Sequence, residues 1–167
     1  SGGPAVLAAD RAEALGLAPA EPDANLRQQL ASHLPGHAAL RNPVDLTVEG
    51  TPAGYRETLT AMLSGPDAAY DAGLAINVAT PYLDSVALAE GIADAARATG
   101  KPIAASFMAG PIVAAGSAYL TAHGVPNYVI PERAVSVLAH MADYAGRPPR
   151  AHTLPREAAA ALTNPPA

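Results

Sequence analysis

Short apolar segments alternate with longer helix-forming segments between residues 72 and 145, and this alternation constrains the fold most strongly. The apolar segments are 72–78 (AGLAINV), 103–107 (IAASF) and 127–130 (NYVI). Such runs are typical of parallel strands that are covered on both faces. Helices are expected after each of them, at about 82–99, from the MAGP loop (108–111) to about 123, and at 131–145. The order β-α-β-α-β-α predicts an α/β fold, a three-layer sandwich in which a parallel sheet lies between helices.

The part of the chain before residue 72 predicts three more helices, at about 4–15, 23–33 and 51–63. Asp23 is a suitable N-cap for the second, and Thr51-Pro52 is a suitable start for the third. A short strand is predicted at 44–48.

We expect residues 1–146 to form one domain. The proline-rich segment 147–167 is expected to be a linker or tail with one weakly helical stretch at 156–162.

The chain opens with the sequence SGGPAVLAAD at residues 1–10. Two glycines before a proline and an apolar helical run usually join a strand to a helix, so we expect the first strand of the sheet to be missing from the chain. Ligands of parallel sheets bind at the carboxyl edge of the strands, in the loops that lead into helices. This rule selects the opening turn and the loops 79–84 and 108–111 as the candidate site.

The N–H groups at a helix N-terminus favour a phosphate or a carboxylate as ligand. We expect Asp84 to cap its own helix, with an anion from a partner domain as the alternative for that helix.

Composition excludes several classes of function. Ten Lys and Arg against fifteen Asp and Glu give a net charge of −5, which argues against a nucleic-acid partner. The absence of cysteine excludes disulfides, zinc–thiolate sites and thiol nucleophiles. No apolar run approaches the ~20 residues of a membrane-spanning helix, so a cytoplasmic protein without a membrane partner is expected.

The five histidines are expected to face solvent, and they complete no metal-binding set. By its own residues the chain therefore does not look like a complete catalyst.

Several motifs, in this order, resemble the NDP-forming acyl-CoA synthetases, a superfamily that includes succinyl-CoA synthetase and the ADP-forming acetate–CoA ligases. They are SGGPAVLAAD, NPVDLTVEG with YRETLTAML, the strand DAGLAI, GKPIAASFMAG and GVPNYVIPERAVSVLAHMADY. The resemblance covers about residues 1–145. It implies the second flavodoxin-like CoA-ligase domain, the counterpart of the C-terminal domain of the succinyl-CoA synthetase β-subunit.

In this superfamily, acid, CoA and NTP are interconverted with acyl-CoA, NDP and phosphate through an acyl phosphate and a phosphohistidine. The resemblance implies that this domain binds no cofactor alone, whereas CoA, ATP or ADP, and Mg serve the whole enzyme. Its implied partners are a CoA-binding domain, a phosphohistidine-bearing domain and an ATP-grasp domain, in cis or in trans, with a carboxylic acid as substrate. No histidine here stands in the family's histidine-glycine motif, so no catalytic or metal-binding residue is assigned to this chain.

The resemblance also implies a set of site residues. The helix that follows residues 79–82 is expected to point its N-terminus at the phosphorylated histidine. The residues expected to contact the phosphate and the acid are Gly2, Gly3, Thr80, Pro81 and Tyr82. Those expected to support the same edge are Asn42, Asp45, Met108 and Gly110, although a structural role is at least as well founded for Asp45. Succinyl-CoA synthetases carry a glycine pair where this chain has Thr80-Pro81, which favours an acid other than succinate.

Two alternatives stay open at the level of the sequence. One is a ligand-sensing regulatory module fused to a protein acetyltransferase, which the sequence after Ala167 in the parent gene would distinguish from a ligase. The other is a free-standing flavodoxin-like domain that binds a nucleotide or a flavin. The aromatic content of 4% argues against stacking on a flavin ring.

Overall fold

The computed structural model describes residues 2–17, 19–65, 69–80 and 82–147. Their elements are α1 (Gly2–Ala14), α2 (Ala24–Ala31), α3 (Pro52–Leu63), β1 (Gly73–Val78), α4 (Ser85–Thr99), β2 (Ile103–Met108), a 3₁₀ turn (Gly110–Val113), α5 (Ala114–Ala122) and α6 (Pro131–Ala145). Among these helices, none is long and apolar enough to cross a membrane. The predicted tail from residue 148 onward, with its stretch at 156–162, lies outside the described residues.

Two parallel strands form the sheet at the centre of the fold. β1 and β2 pair in register from Gly73–Ile103 to Val78–Met108. Buried side chains of α3, α4 and α5 pack on one face of the sheet, and α1 and α6 cover the other. The predicted α/β class, with a parallel sheet between two helical layers, is therefore confirmed.

The two faces of the sheet are packed unequally. On the face of α3–α5, Phe107 is fully buried among side chains such as Leu88 and Ile92. On the other face, α1 and α6 contribute a small cluster of alanines with Val135, against which Leu74 and Ile76 are only partly buried. Most of the apolar burial that stabilises the fold therefore lies on the α4 side.

The prediction of a strand at 127–130 is wrong beyond its first residue. Asn127 forms a single parallel bridge with Ala105. Its side-chain Oδ1 then accepts the N–H of Phe107 at 2.8 Å, and its Nδ2 donates to Ser117 Oγ at 3.1 Å. Because a side chain takes the hydrogen bond that a further strand residue would have made, the chain leaves the sheet and enters α6.

The prediction of a strand at 44–48 is also wrong. Only Asp45 pairs there, in an isolated antiparallel bridge with Ala39. Thr47 has φ +62°, in the left-handed region, so the chain turns where a strand would have to stay extended.

The outer edge of β1 is open within the described part of the chain. The odd-numbered residues of β1 make the backbone hydrogen bonds to β2; for example, the N–H of Gly73 donates to Pro102 O at 2.9 Å. The even-numbered residues of 74–78 therefore point their N–H and C=O groups away from β2. The Tyr55 hydroxyl donates to Ile76 O at 2.7 Å, and a cavity of about 150 Å³ lies along this edge. These outward-facing groups are compatible with an additional strand at this edge, and the predicted first strand stays a prediction.

Candidate functional site

A cavity of about 530 Å³ opens at the carboxyl edge of β1. We call it the edge cavity. Its walls are Gly2 of α1, the loop residues His37, Asp45, Thr47, Val48 and Gly50, Tyr55 of α3, residues 77–80 and Leu83. The cavity brings together three of the sequence-predicted site residues, which are Gly2, Asp45 and Thr80. It lies at the edge where ligands of parallel α/β sheets bind.

Two of the remaining phosphate- and acid-binding candidates lie away from this wall. Gly3 follows Gly2 within α1, and a Cβ built on it would meet no atom within 4 Å. The Tyr82 side chain is 96% exposed. Pro81 lies outside the described residues.

Three candidate supporting residues also lie outside the cavity wall. Asn42 points away from the edge, where its Nδ2 donates to Ala20 O at 3.1 Å. Met108 ends β2, and its carbonyl accepts the N–H of Ala79 at 3.2 Å, which fixes the start of the loop after β1. Gly110 begins the 3₁₀ turn.

Asp45 joins the loop after α2 to the start of α1. Its Oδ1 accepts the N–H of Thr47 at 2.8 Å, and its Oδ2 lies 3.2 Å from the position that a Cβ on Gly2 would take. Burial opposes ionisation of Asp45, but the N–H of Thr47 and the positive charge of the amino terminus outweigh burial and lower the pKa of the carboxyl. The wall therefore carries an ionised carboxylate at neutral pH, and these contacts support the structural role of Asp45.

Tyr55 separates the edge cavity from the open edge of β1. Burial, with a smaller contribution from the negative charge of Asp45, raises the pKa of Tyr55 to about 12. The phenol therefore stays protonated and keeps its hydrogen bond to Ile76 O.

The structure adds His37 to the site, a residue that the sequence analysis expected only to face solvent. Its exposed ring lies at the cavity wall, with Nε2 3.5 Å from Thr47 Oγ1 and 3.7 Å from Glu49 Oε2. The position of the loop between α2 and α3, which brings His37 beside β1, has no signal in the sequence.

The expectation for the other histidines is met at two positions and fails at one. His123 and His140 are exposed. His33 is half-buried, with Nε2 3.4 Å from Thr58 Oγ1, because it packs between α2 and α3. His152 lies outside the described residues.

Asn77 is a second residue of the cavity that the sequence analysis missed. It is 4% exposed near the end of β1, and its Nδ2 has no hydrogen-bond partner among the described residues. A signal existed, because Asn77 is the only strongly polar residue in the apolar run AGLAINV. A buried polar group without a partner is unusual in a folded protein.

The N-terminus of α4 also lies at this edge, but its own chain already satisfies it. Asp84 Oδ1 accepts the N–H groups of Val86 at 2.9 Å and Ala87 at 3.2 Å. The expected capping role of Asp84 is confirmed. The same carboxylate explains why α4 begins at Ser85 and not at 82.

Large apolar side chains are exposed on the loops around the same edge. They come from the loops that follow α2, β1, β2 and Asn127, and they are Val48, Tyr82, Ile112, Val129 and Ile130. Exposed apolar side chains that cluster around a polar cavity are a feature of surfaces that contact another protein unit.

The chain is similar to known proteins along nearly its whole length. A model of the Ligase-CoA domain family matches residues 1–154. The ADP-forming acetate–CoA ligase II subunit alpha of Pyrococcus furiosus is 35% identical over 79% of this chain and 29% of its own length. The ADP-forming acetate–CoA ligase I of Archaeoglobus fulgidus is 29% identical over 86% of this chain and 20% of its own length.

A solved structure shows the same fold. The dinucleotide forming acetyl-coenzyme A synthetase 1 of Ca. Korarchaeum cryptofilum, in complex with phosphate and ADP, superposes with a TM-score of 0.78 at 29% identity. The match covers 87% of this chain and 31% of that one. The chain thus spans less than a third of the length of these relatives. Because the family model matches all but the last residues, this chain belongs to the Ligase-CoA domain family.

Proposed function

We propose that this chain is one domain of an ADP-forming acyl-CoA synthetase, in which it completes a site for phosphate and a carboxylic acid without being a catalyst by itself. The family match over residues 1–154, with relatives named as ADP-forming acetate–CoA ligases, carries the proposal. These names favour the ligase over a regulatory module or a free-standing binding domain. The enzyme would act in the cytoplasm and convert acid, CoA and ATP to acyl-CoA, ADP and phosphate.

The first turn of α1 is the proposed anion-binding element of this domain. The N–H groups of a first helical turn have no partner within the helix and carry a partial positive charge. The first turn of α1 contains no acidic residue of its own, and Gly2 lies in the wall of the edge cavity beside Thr80. We assign the N–H group of Gly2 and the Thr80 hydroxyl to the oxygens of the acid or phosphate, with Asp45 holding the turn.

The remaining parts of the site would come from other domains. The proposed partners are a CoA-binding domain, a domain that carries the phosphorylated histidine, and an ATP-grasp domain, in cis or in trans. The exposed apolar side chains around the edge cavity support this arrangement, because a docked domain would remove them from water. Docking would also exclude water from the reacting groups.

CoA, the nucleotide and Mg are assigned to those partner domains, because the edge cavity does not fit them. Its described lining carries a carboxylate and neither lysine nor arginine, which is a poor match for a polyphosphate. Among the described residues, no group of three or more His, Asp or Glu side chains is placed to hold a metal ion.

The test is turnover by the intact parent protein together with its partner domains. We expect ADP formation from ATP that depends on both CoA and a short, branched or aromatic carboxylic acid. Gly2→Val should abolish this turnover, because the side chain would displace Asp45 and block the first turn of α1.

Gly36→Ala is the matched control, since a Cβ there meets no atom within 4 Å and lies outside the cavity. Its turnover should equal that of the unchanged protein. An intact protein that turns over no acid under any of these conditions would overturn the proposal.

A further inference from the structure

We propose that the side-chain amide of Asn77 is a ligand-binding group of the edge cavity, which donates a hydrogen bond to an oxygen of a small oxyanion, either a carboxylate or a phosphate. This inference adds a binding residue to the cavity of the proposed function. It rests on the proposed function only for the identity of the oxyanion as the acid substrate or the phosphate of the ligase reaction.

The surroundings of Asn77 in the sheet give no structural reason for an amide. Its neighbour on the same face, Ala75, and its register partner, Phe107, are both buried apolar residues of the larger core. Leucine has the same number and branching of side-chain heavy atoms as asparagine and would bury no polar atom at this position. A buried N–H without a partner costs free energy, so the amide is better explained by a partner that comes from outside the chain.

The chemistry of the cavity indicates what this partner is. Nδ2 can only donate, so the ligand must supply an acceptor oxygen. The first turn of α1 adds an N–H donor to the same cavity at Gly2, and Thr80 adds a hydroxyl. Several donors that line one cavity suit an oxyanion.

The charge of the wall sets a preference between the two oxyanions. Asp45 places a carboxylate in the same wall, and the described lining includes neither lysine nor arginine. Repulsion grows with the charge of the ligand. We therefore expect a singly charged carboxylate to bind more tightly than a doubly charged phosphate.

Ser106 is a matched control for this inference. Like Asn77 it is fully buried in the sheet, and its Oγ has no hydrogen-bond partner. It lies opposite Ile76 in the register, on the other face of the sheet, and does not line the edge cavity. A general effect of removing a buried polar group should therefore appear at both positions, whereas a ligand effect should appear only at Asn77.

The experiment is a nuclear magnetic resonance titration of the full 167-residue chain, labelled with nitrogen-15, with sodium acetate and separately with inorganic phosphate. The side-chain amide signals of Asn77 should shift with acetate at lower concentration than with phosphate. A shift with phosphate alone would keep the site and assign the oxyanion to phosphate. No shift of these signals with either anion would overturn the inference, and this readout needs no variant to fold.

Two variants separate binding from stability. Asn77→Leu should weaken acetate binding, followed through the backbone signal of Val78, by about tenfold or more, while its melting temperature stays the same or rises. Ser106→Ala should keep full binding with a similarly unchanged or higher melting temperature. Equal binding in Asn77→Leu and the unchanged chain would overturn the inference.

The two proposals can fail separately. An intact parent protein without acid-dependent turnover would remove the proposed function but leave the acetate-induced shift at Asn77. Turnover with no shift at Asn77 would leave the ligase and remove this inference.

Discussion

Two helices, α1 and α4, begin at the carboxyl edge of the sheet, and their N-termini are held in different ways. α4 is capped by Asp84, the residue directly before it, and α5 packs against its first turn. α1 has no acidic residue in its first turn, and Asp45 reaches it from a loop that is distant in the sequence. Only the start of α1 lies in the wall of the edge cavity.

This difference separates a structural helix start from one that can serve a ligand. The first N–H groups of α4 are already bonded within the chain, and the helix supports the larger core through Leu88 and Ile92. The start of α1 packs against the smaller cluster, and its contact with Asp45 depends on tertiary structure. We expect changes at α4 to reduce stability and changes at α1 to affect mainly the site.

The largest effect is expected from Gly116→Ala in α5, which tests how firmly the start of α4 is packed. A Cβ on Gly116 would lie 2.3 Å from Ser85 O, a backbone atom that cannot move without shifting α4. We expect a loss of about 3 kcal/mol in the free energy of unfolding, measured by urea denaturation.

The control for this prediction is Gly36→Ala, where a Cβ meets no atom within 4 Å. It should change the free energy of unfolding by less than about 0.5 kcal/mol. Equal stabilities for the two variants would show that α4 and α5 are not closely packed at this point.

The sequence predicts those features of α1, α4 and their surroundings that depend on neighbouring residues in the chain. The alternation of apolar and helical segments predicts the order of elements after residue 72, and Asp84 before a helix predicts its own capping. The pattern could not predict that Asn127 ends the third strand with its side chain, because that exchange depends on Phe107 and Ser117. His37 was missed for a similar reason, since only the tertiary fold brings the loop after α2 beside the end of β1. Asn77 did have a signal in the sequence, as the polar residue of an apolar run.

A smaller effect is expected from Asp84→Ala, which removes the local cap of α4. The N–H groups of Val86 and Ala87 would lose their shared acceptor, at a cost of about 1 kcal/mol. Thermal unfolding should show a lower melting temperature for this variant and most of the original value for Asp84→Ser, which restores a capping oxygen. If Asp84→Ser were as unstable as Asp84→Ala, capping would not explain the loss.

The pH dependence of stability tests the contact of Asp45 with the start of α1. Its pKa is lower in the folded chain, so Asp45 contributes stability above its unfolded pKa of about 4, and that contribution is lost as pH falls through the folded pKa. The difference in unfolding free energy between the unchanged chain and Asp45→Asn should be largest at neutral pH and shrink in acid. We expect it to be smaller than the Asp84 effect, because burial opposes the ionisation of Asp45 and offsets part of what its contacts contribute.

Asp10→Asn is the control for the loss of one negative charge, since Asp10 is an exposed residue of α1. Its stability difference from the unchanged chain should vary little with pH. If the Asp45→Asn difference stayed constant from neutral pH into acid, the lowered pKa would not contribute to stability.

The smallest effect distinguishes two adjacent glycines at the start of α1. Alanine loses less backbone entropy on folding than glycine, so Gly3→Ala, which meets no atom within 4 Å, should gain about 0.5 kcal/mol. Gly2→Ala should lose this gain, because its Cβ would lie 3.2 Å from Asp45 Oδ2 and the carboxylate would have to move. Combining Gly2→Ala with Asp45→Ala should restore the gain relative to Asp45→Ala alone, and a double-mutant cycle in urea measures this coupling. Equal gains from the two single glycine variants would mean that Asp45 does not hold this turn, and the starts of α1 and α4 would then differ only in the local cap of α4.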